Sequence, residues 1–277
     1  FTQNNLGLLY SDLQKFDAAE LAYTQALEIR KKLAEKTPDV YLLDVAATQN
    51  NIGNLYSTLT KFEAAESAYI EAMTILKKQM KTAPDECLPD AAMTQNNLGS
   101  LYHTLRKFEV AESAFSEALA IWKQLLGKVQ DVYLPNVAMT QKNLGSLYRD
   151  LRKFEASESA YSEALKIYKK LADNAPDVYL PVYMKTMANI GRFYLDINRI
   201  EEGINILEDV LKLRDLLPDF GASCFSGLGI SYEKIEKKEK AAQNYFIASS
   251  VYFLLFRKYG LPYLGNVVSN LKKVSEL

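Results

Sequence analysis

Apolar residues recur three and four positions apart along the chain, in two successive phases. In one stretch they run Ile52, Leu55 and Leu59, then, after a break at Leu59-Thr60-Lys61, Phe62, Ala65, Tyr69, Ala72 and Ile75. Residues so spaced share one helix face, so each phase predicts an amphipathic helix, and the change of phase predicts a tight turn between the two. The pattern places helix A over about residues 42–58 and helix B over about 62–82, each roughly 25–30 Å long at 1.5 Å per residue.

The same phrase then returns. TQNNLG at Thr2 reappears as TQNNIG at Thr48, TQNNLG at Thr94, TQKNLG at Thr140 and TMANIG at Thr186, with a step of 46 residues each time. A Tyr follows in step, giving Gly7/Tyr10, Gly53/Tyr56, Gly99/Tyr102, Gly145/Tyr148 and Gly191/Tyr194, and a sixth copy, Gly229/Tyr232, arrives after 38 residues. A fixed period of this size is the mark of a repeat architecture, in which no helix pair buries its apolar face alone. The connectors begin at Thr37, Ala83, Val129 and Ala175. Pro38, Pro84 and Pro176 are expected to stop helix B, the Asp after each (Asp39, Asp85, Asp177, with Asp131 in the third copy) to cap a new turn, and Pro89, Pro135 and Pro181 to sit in the first turn of helix A.

The repeated L-G-x-x-Y resembles the tetratricopeptide repeat family. Small residues follow twelve positions after the Gly (Ala19, Ala65, Ala111, Ser157, Gly203, Ala241), large ones at sixteen (Tyr23, Tyr69, Phe115, Tyr161, Leu207, Tyr245) and Ala or Val at nineteen (Ala26, Ala72, Ala118, Ala164, Val210, Ala248). The sequence departs from the usual 34-residue unit. Gln3, Gln49, Gln95 and Gln141 hold the Trp position, and about twelve residues are added at the B-to-A junction, as in long repeats of the kinesin-light-chain type. The resemblance implies an all-α fold, an α-solenoid forming a right-handed superhelix of about six helix pairs, over residues 1–260. Its repeats span about 1–38, 39–84, 85–130, 131–176, 177–218 and 219–260, and a C-terminal capping helix spans 261–277. Phe1 falls inside a repeat and no Met precedes it, so the chain reads as a piece of something longer.

In this family helix A lines the concave surface where partner peptides lie. With Gly at position eight, position six holds Asn5, Asn51, Asn97, Asn143 and Asn189. A carboxamide offers one acceptor and two N–H donors, which match the main chain of an extended peptide. The row is similar to the asparagine ladder of peptide-binding members. It is also what recent duplication would leave, or what Asn bonding within its own repeat would need. Specificity is expected from less repetitive positions: Asn4, Asn50, Asn96, Lys142 and Ala188 at five; Leu8, Asn54, Ser100, Ser146 and Arg192 at nine; His103 and Arg149 at twelve; Met139 and Lys185 at two. The first half of the groove is thus neutral. The second carries Lys142, Arg149, Lys185 and Arg192, favouring an acidic peptide or a terminal carboxylate unless Asp12, Asp150 and Asp196 at position thirteen pair with those bases.

Composition narrows the chemistry. Of 277 residues, 33 are Lys or Arg and 34 Asp or Glu, for a formal charge of −1, which removes the electrostatic basis of nucleic-acid binding. One His and two Cys leave no zinc or disulfide framework, and Cys87 and Cys224 read as packed thiols of a reducing cytoplasm. No apolar run reaches a membrane span, and no phosphate loop, catalytic set or cofactor motif is present. Lys-Phe-Glu, as at Lys61-Phe62-Glu63, reads as a helix start, and Glu63/Glu66 as exposed helix charges. The expected function is a non-enzymatic interaction scaffold that holds an extended peptide or partner helix, with self-association through an open end. The alternative is a sensor or regulatory region of a larger signalling or defence protein, such as an oligomerising ATPase or protease-effector fusion.

Overall fold

A computed structural model of the chain describes residues 2–129, 131–212, 218–259 and 263–277. Thirteen α-helices and no strand occur among the described residues: α1 (Thr2–Asp12), α2 (Phe16–Lys36), α3 (Pro38–Thr58), α4 (Phe62–Gln79), α5 (Pro84–Thr104), α6 (Phe108–Leu126), α7 (Leu134–Asp150), α8 (Phe154–Asn174), α9 (Pro176–Asp196), α10 (Ile200–Lys212), α11 (Pro218–Lys234), α12 (Lys238–Tyr259) and α13 (Leu264–Glu276). Odd-numbered helices up to α11 are the A members, even-numbered ones the B members; successive helices pack on one another from α1 to α6 and again from α8 to α13. The fold is an α-solenoid. It divides into two compact units, residues 1–147 and 148–277.

Each A helix approaches its B helix at the repeated Gly. A Cβ added at Gly53 would lie 2.5 Å from Tyr69 Cε1, and one at Gly99 would lie 2.7 Å from Phe115 Cδ1. The hydrogen at this position therefore makes room for the aromatic sixteen residues on. The degenerate fifth repeat keeps the contact with smaller parts: Leu207 replaces the aromatic beside Gly191, and a Cβ on Gly203 would meet the Gly191 carbonyl at 2.9 Å. Burial then crosses from repeat to repeat. Ala19 and Tyr23 of the first cluster with Ile52 and Leu55 of the second, and Tyr69 and Leu76 of the second with Cys87, Leu98 and Leu101 of the third. In the other unit, Leu207 and Val210 cluster with Leu228, Tyr232 and Tyr245, and Val274 of α13 packs against them.

The A-to-B turn is built alike in each copy. Gln14, Thr60, Arg106, Arg152, Asn198 and Glu236 all take positive φ, from 57° to 65°. Around Thr60, the Lys61 N–H donates to the Tyr56 carbonyl (2.9 Å) and the Thr60 N–H to the Ser57 carbonyl (3.1 Å). These two bonds close a left-handed helix terminus on the last orphan carbonyls, normally the place of a Gly.

The junctions differ from expectation. The residues read as an added connector are helix: α3, α5 and α9 begin at Pro38, Pro84 and Pro176 rather than about four residues later. Proline ends helix B by holding the residue before it extended, as at Thr37 (φ −138°), and itself occupies the first helical position, where its missing N–H costs nothing. Asp39 thus lies inside the first turn beside the helix dipole rather than at the cap. Pro89 and Pro181 fall inside α5 and α9, past the first turn. The third connector has no leading Pro, and α7 starts only at Leu134. The boundary expected at residues 260/261, the start of the cap at Leu261-Pro262, and Phe1 lie outside the described residues.

Candidate functional site

In the first unit consecutive A helices touch, α1 with α3 and α3 with α5, whereas α2 and α4 meet through long side chains, Lys31 to Glu71 at 2.8 Å. The A side is therefore the narrow, inner side of this unit. In the second unit α9 touches α11 in the same way.

The asparagines meet on this side, and they meet each other. Asn51 Nδ2 donates to Asn4 Oδ1 (3.2 Å), Asn97 Nδ2 to Asn50 Oδ1 (3.0 Å) and Asn143 Nδ2 to Asn96 Oδ1 (3.1 Å). Position six of one repeat thus clasps position five of the repeat before it. Position five is the deeper partner, with Asn4 8% and Asn96 2% exposed, and Asn96 also accepts from the buried Thr140 hydroxyl (3.2 Å). Asn51, Asn97 and Asn143 are half-buried, and Asn5 is exposed. The bonds run between repeats rather than within one. Each clasp uses one N–H of the position-six carboxamide and leaves its carbonyl and second N–H for another partner. The capping helix keeps the register, with Ser226 of position five donating to Asn270 Oδ1 (2.9 Å).

The remaining expected residues are dispersed. Exposed Asn54 accepts from the Tyr69 hydroxyl (2.7 Å), which ties it to helix B. Arg149 donates to Asp150 (3.0 Å) and faces Asp196 at 3.9 Å, so the position-thirteen acids do pair with it. Lys142 is half-buried, Lys185 exposed, and Arg192 exposed with Asn189 Oδ1 as acceptor (3.1 Å). Leu195, at position twelve, is buried in the core. His103 is half-buried, its ring 6.0 Å from that of Phe108.

One recurring set was missed from the sequence. The Tyr of L-G-x-x-Y donates to a Glu on the preceding helix B: Tyr56 to Glu20 (2.9 Å), Tyr102 to Glu66 (2.9 Å), Tyr194 to Glu158 (2.8 Å). Each carboxylate also takes the cation of the following turn, Lys61 (3.3 Å), Lys107 (3.7 Å) or Arg199 (2.8 Å), which lies over the Tyr ring. Glu66 is therefore a half-buried anchor rather than an exposed helix charge. Burial, then the bond to the carboxylate, pushes the Tyr102 and Tyr194 hydroxyls up to about 12. The signal was available, since Glu20, Glu66 and Glu158 each precede their Tyr by 36 residues.

Cys87 and Cys224 are buried, and burial raises both thiols, Cys224 to about 11. Among the described residues no group of three or more His, Cys, Asp or Glu side chains can hold a metal ion, and no helix is long and apolar enough to cross a membrane.

Family models described as tetratricopeptide repeat match residues 2–39 and 45–78, 90–170, and 185–215, together roughly two thirds of the chain. The chain belongs to the tetratricopeptide repeat family. No functionally curated protein matches it. Among solved structures, this tetratricopeptide chain is similar to BtubC (BKLC) from P. vanneervenii, with 21% identity and a TM-score of 0.69 over 87% of this chain and 92% of that one. It is also similar to the nearly identical TPR-like repeats of a putative kinesin light chain from Podosopora anserina (15% identity, TM-score 0.61, 76% and 96% covered). A third is YrrB, described as a TPR protein with an unusual peptide-binding site (16% identity, TM-score 0.51, 89% and 100% covered). At these identities the likeness concerns the fold.

Proposed function

We propose that the chain is a protein-interaction scaffold that holds an extended peptide along the A side of its repeats, main chain against the position-six asparagines. The observation that carries this reading is the row of clasps. Pinned to the preceding repeat, Asn51, Asn97 and Asn143 are half-exposed with an acceptor and a donor each to spare, so little side-chain entropy is lost when a peptide adds its own bonds. YrrB, whose fold is similar, is described as having a peptide-binding site, which lends support. The first half of the row is neutral. In the second, Lys185 and Arg192 are exposed cations, while Arg149 is held by two carboxylates. An acidic segment is thus favoured toward the later repeats.

Selection of twelve-residue peptides from a random display library with the purified chain tests this. Asn5→Ala breaks no clasp and is expected to weaken a selected peptide that spans the first repeats about threefold or more. Asn51→Ala, measured where circular dichroism shows it fully folded, is expected to weaken it about tenfold. Selected peptides that bind both variants as they bind the parent would refute the groove.

A further inference from the structure

Between the fifth and sixth repeats the clasp is absent, and a cavity stands there. Where Asn51, Asn97 and Asn143 occupy position six, the sixth repeat has Gly227, and position five before it is Ala188. No carboxamide pair forms between these two. Gly227 instead lines an open cavity of about 370 Å³ bordered by α9, α11, α12 and α13. That size is at the lower end of small-ligand pockets, about 300–1,000 Å³, and suits one or two residues rather than a long segment.

Three cations line it, one from each of three helices: Arg192, Lys234 and Lys273. Lys273 is paired with Glu233 at 3.3 Å, and Glu233 also accepts from the Tyr245 hydroxyl at 2.7 Å. Asp196, the carboxylate in the wall, faces Arg149 at 3.9 Å. The other two cations have neutral partners. Arg192 donates to Asn189 Oδ1 (3.1 Å) and Lys234 to the Leu195 carbonyl (2.9 Å), and among the described residues neither is balanced by a carboxylate within ion-pair distance. Beside these charges the wall presents Ile230, Tyr245 and Tyr252, and Ser269 adds a hydroxyl.

We propose that this pocket binds a single carboxylate carried next to an apolar side chain on a partner peptide, with Arg192 and Lys234 as its counter-charges. Charge-assisted hydrogen bonds hold the carboxylate, and Ile230 and the two tyrosines cover the neighbouring side chain. The proposal rests on the peptide-groove reading and names the ligand of its later half. Lys234 was not foreseen from the repeat register.

The test uses the full chain and fluorescein-labelled hexapeptides in anisotropy titrations. The three probes are Gly-Ser-Gly-Ser-Gly-Leu with a free carboxyl end, its C-terminal amide, and an amidated form carrying an internal Glu-Leu. A carboxylate-bearing probe is expected to bind at least tenfold more tightly than the amide without Glu. Preference for the first probe assigns the carboxylate to a chain end, and preference for the third to a side chain; either supports the pocket. Arg192→Gln and Lys234→Gln should each weaken binding tenfold or more. Lys212→Gln, a charge loss on α10 away from the cavity, should change nothing, and Ser269→Trp should block the site while leaving circular dichroism intact. Equal binding of all three probes, or of parent and both Gln variants, would overturn the proposal. If no hexapeptide binds at millimolar concentration while library-selected peptides do, the pocket is refuted and the groove stands; if neither binds, both fall.

Discussion

The asparagine clasp makes a quantitative claim. Asn97 Nδ2 donates to Asn50 Oδ1 at 3.0 Å, both side chains are half-buried and neither is charged. A neutral hydrogen bond of this kind contributes about 0.5–1.5 kcal/mol, and because water reaches both groups, a partner left behind is rehydrated rather than stranded. Asn50→Ala and Asn97→Ala should therefore each cost about 1 kcal/mol, a fall in midpoint of roughly 2–4 °C for a chain of this size. The two variants remove the same bond, so the double variant should cost about 1 kcal/mol less than the sum of the singles. Urea unfolding followed by the fluorescence of Trp122, the chain's single Trp, reports on the same repeat, since Trp122 is buried in α6, which packs on the helix that carries Asn97. Additivity within about 0.3 kcal/mol would refute the clasp as a source of stability. Replacing Asn51, Asn97 and Asn143 together by Ala removes all three clasps and should lower the midpoint further.

Four further outcomes follow from the geometry. Gly53→Ala places a methyl 2.5 Å from the buried Tyr69 ring, whose hydroxyl is tied to Asn54, and should destabilise by about 1–2 kcal/mol in chemical denaturation after the gain in helix propensity is subtracted. Gly265→Ala, with nothing within 4 Å, should be neutral or stabilising. Thr60→Gly relieves a β-branched residue at φ 57° and should stabilise by about 0.5–1 kcal/mol, read as a raised urea midpoint. The Tyr102 and Tyr194 hydroxyls sit at about 12 when folded, above the ordinary value of 10, so the stability they confer is complete below pH 10 and lost between pH 10 and 12. Tyr102→Phe and Tyr194→Phe together should flatten that alkaline loss, measured by urea midpoints across the range.

The repeat and its helix pairs were legible because a 46-residue step aligns the same side chains five times. The Gly–aromatic contact was legible too, because it depends on size at a fixed offset within one unit. What escaped depends on neighbours in the next unit. Glu66 looks like any exposed helix acid until Tyr102, 36 residues on, is set against it. The Asn-Asn pair invites a reading outward to a ligand, and each of its members serves a different repeat: Asn97 reaches back to Asn50, and Asn96 receives Asn143. Pro38 was misjudged as a mere terminator because one residue both ends helix B and starts helix A. At Gly227 the sequence shows only a lost Asn. The cavity behind it needs α13, whose register was visible at Asn270 but whose Lys273 pairs with Glu233 through folding alone.

The central claim is that the asparagine row holds a peptide by its main chain. A library-selected peptide that lies over the first three repeats, remade with single N-methyl groups and, separately, with single Ala substitutions, tests it without altering the protein. Binding through the main chain predicts that N-methylation at alternate residues weakens affinity about tenfold or more, while Ala substitutions at those residues change it less than about threefold. The reverse pattern, sensitivity to side chains and indifference to N-methylation, would contradict the account.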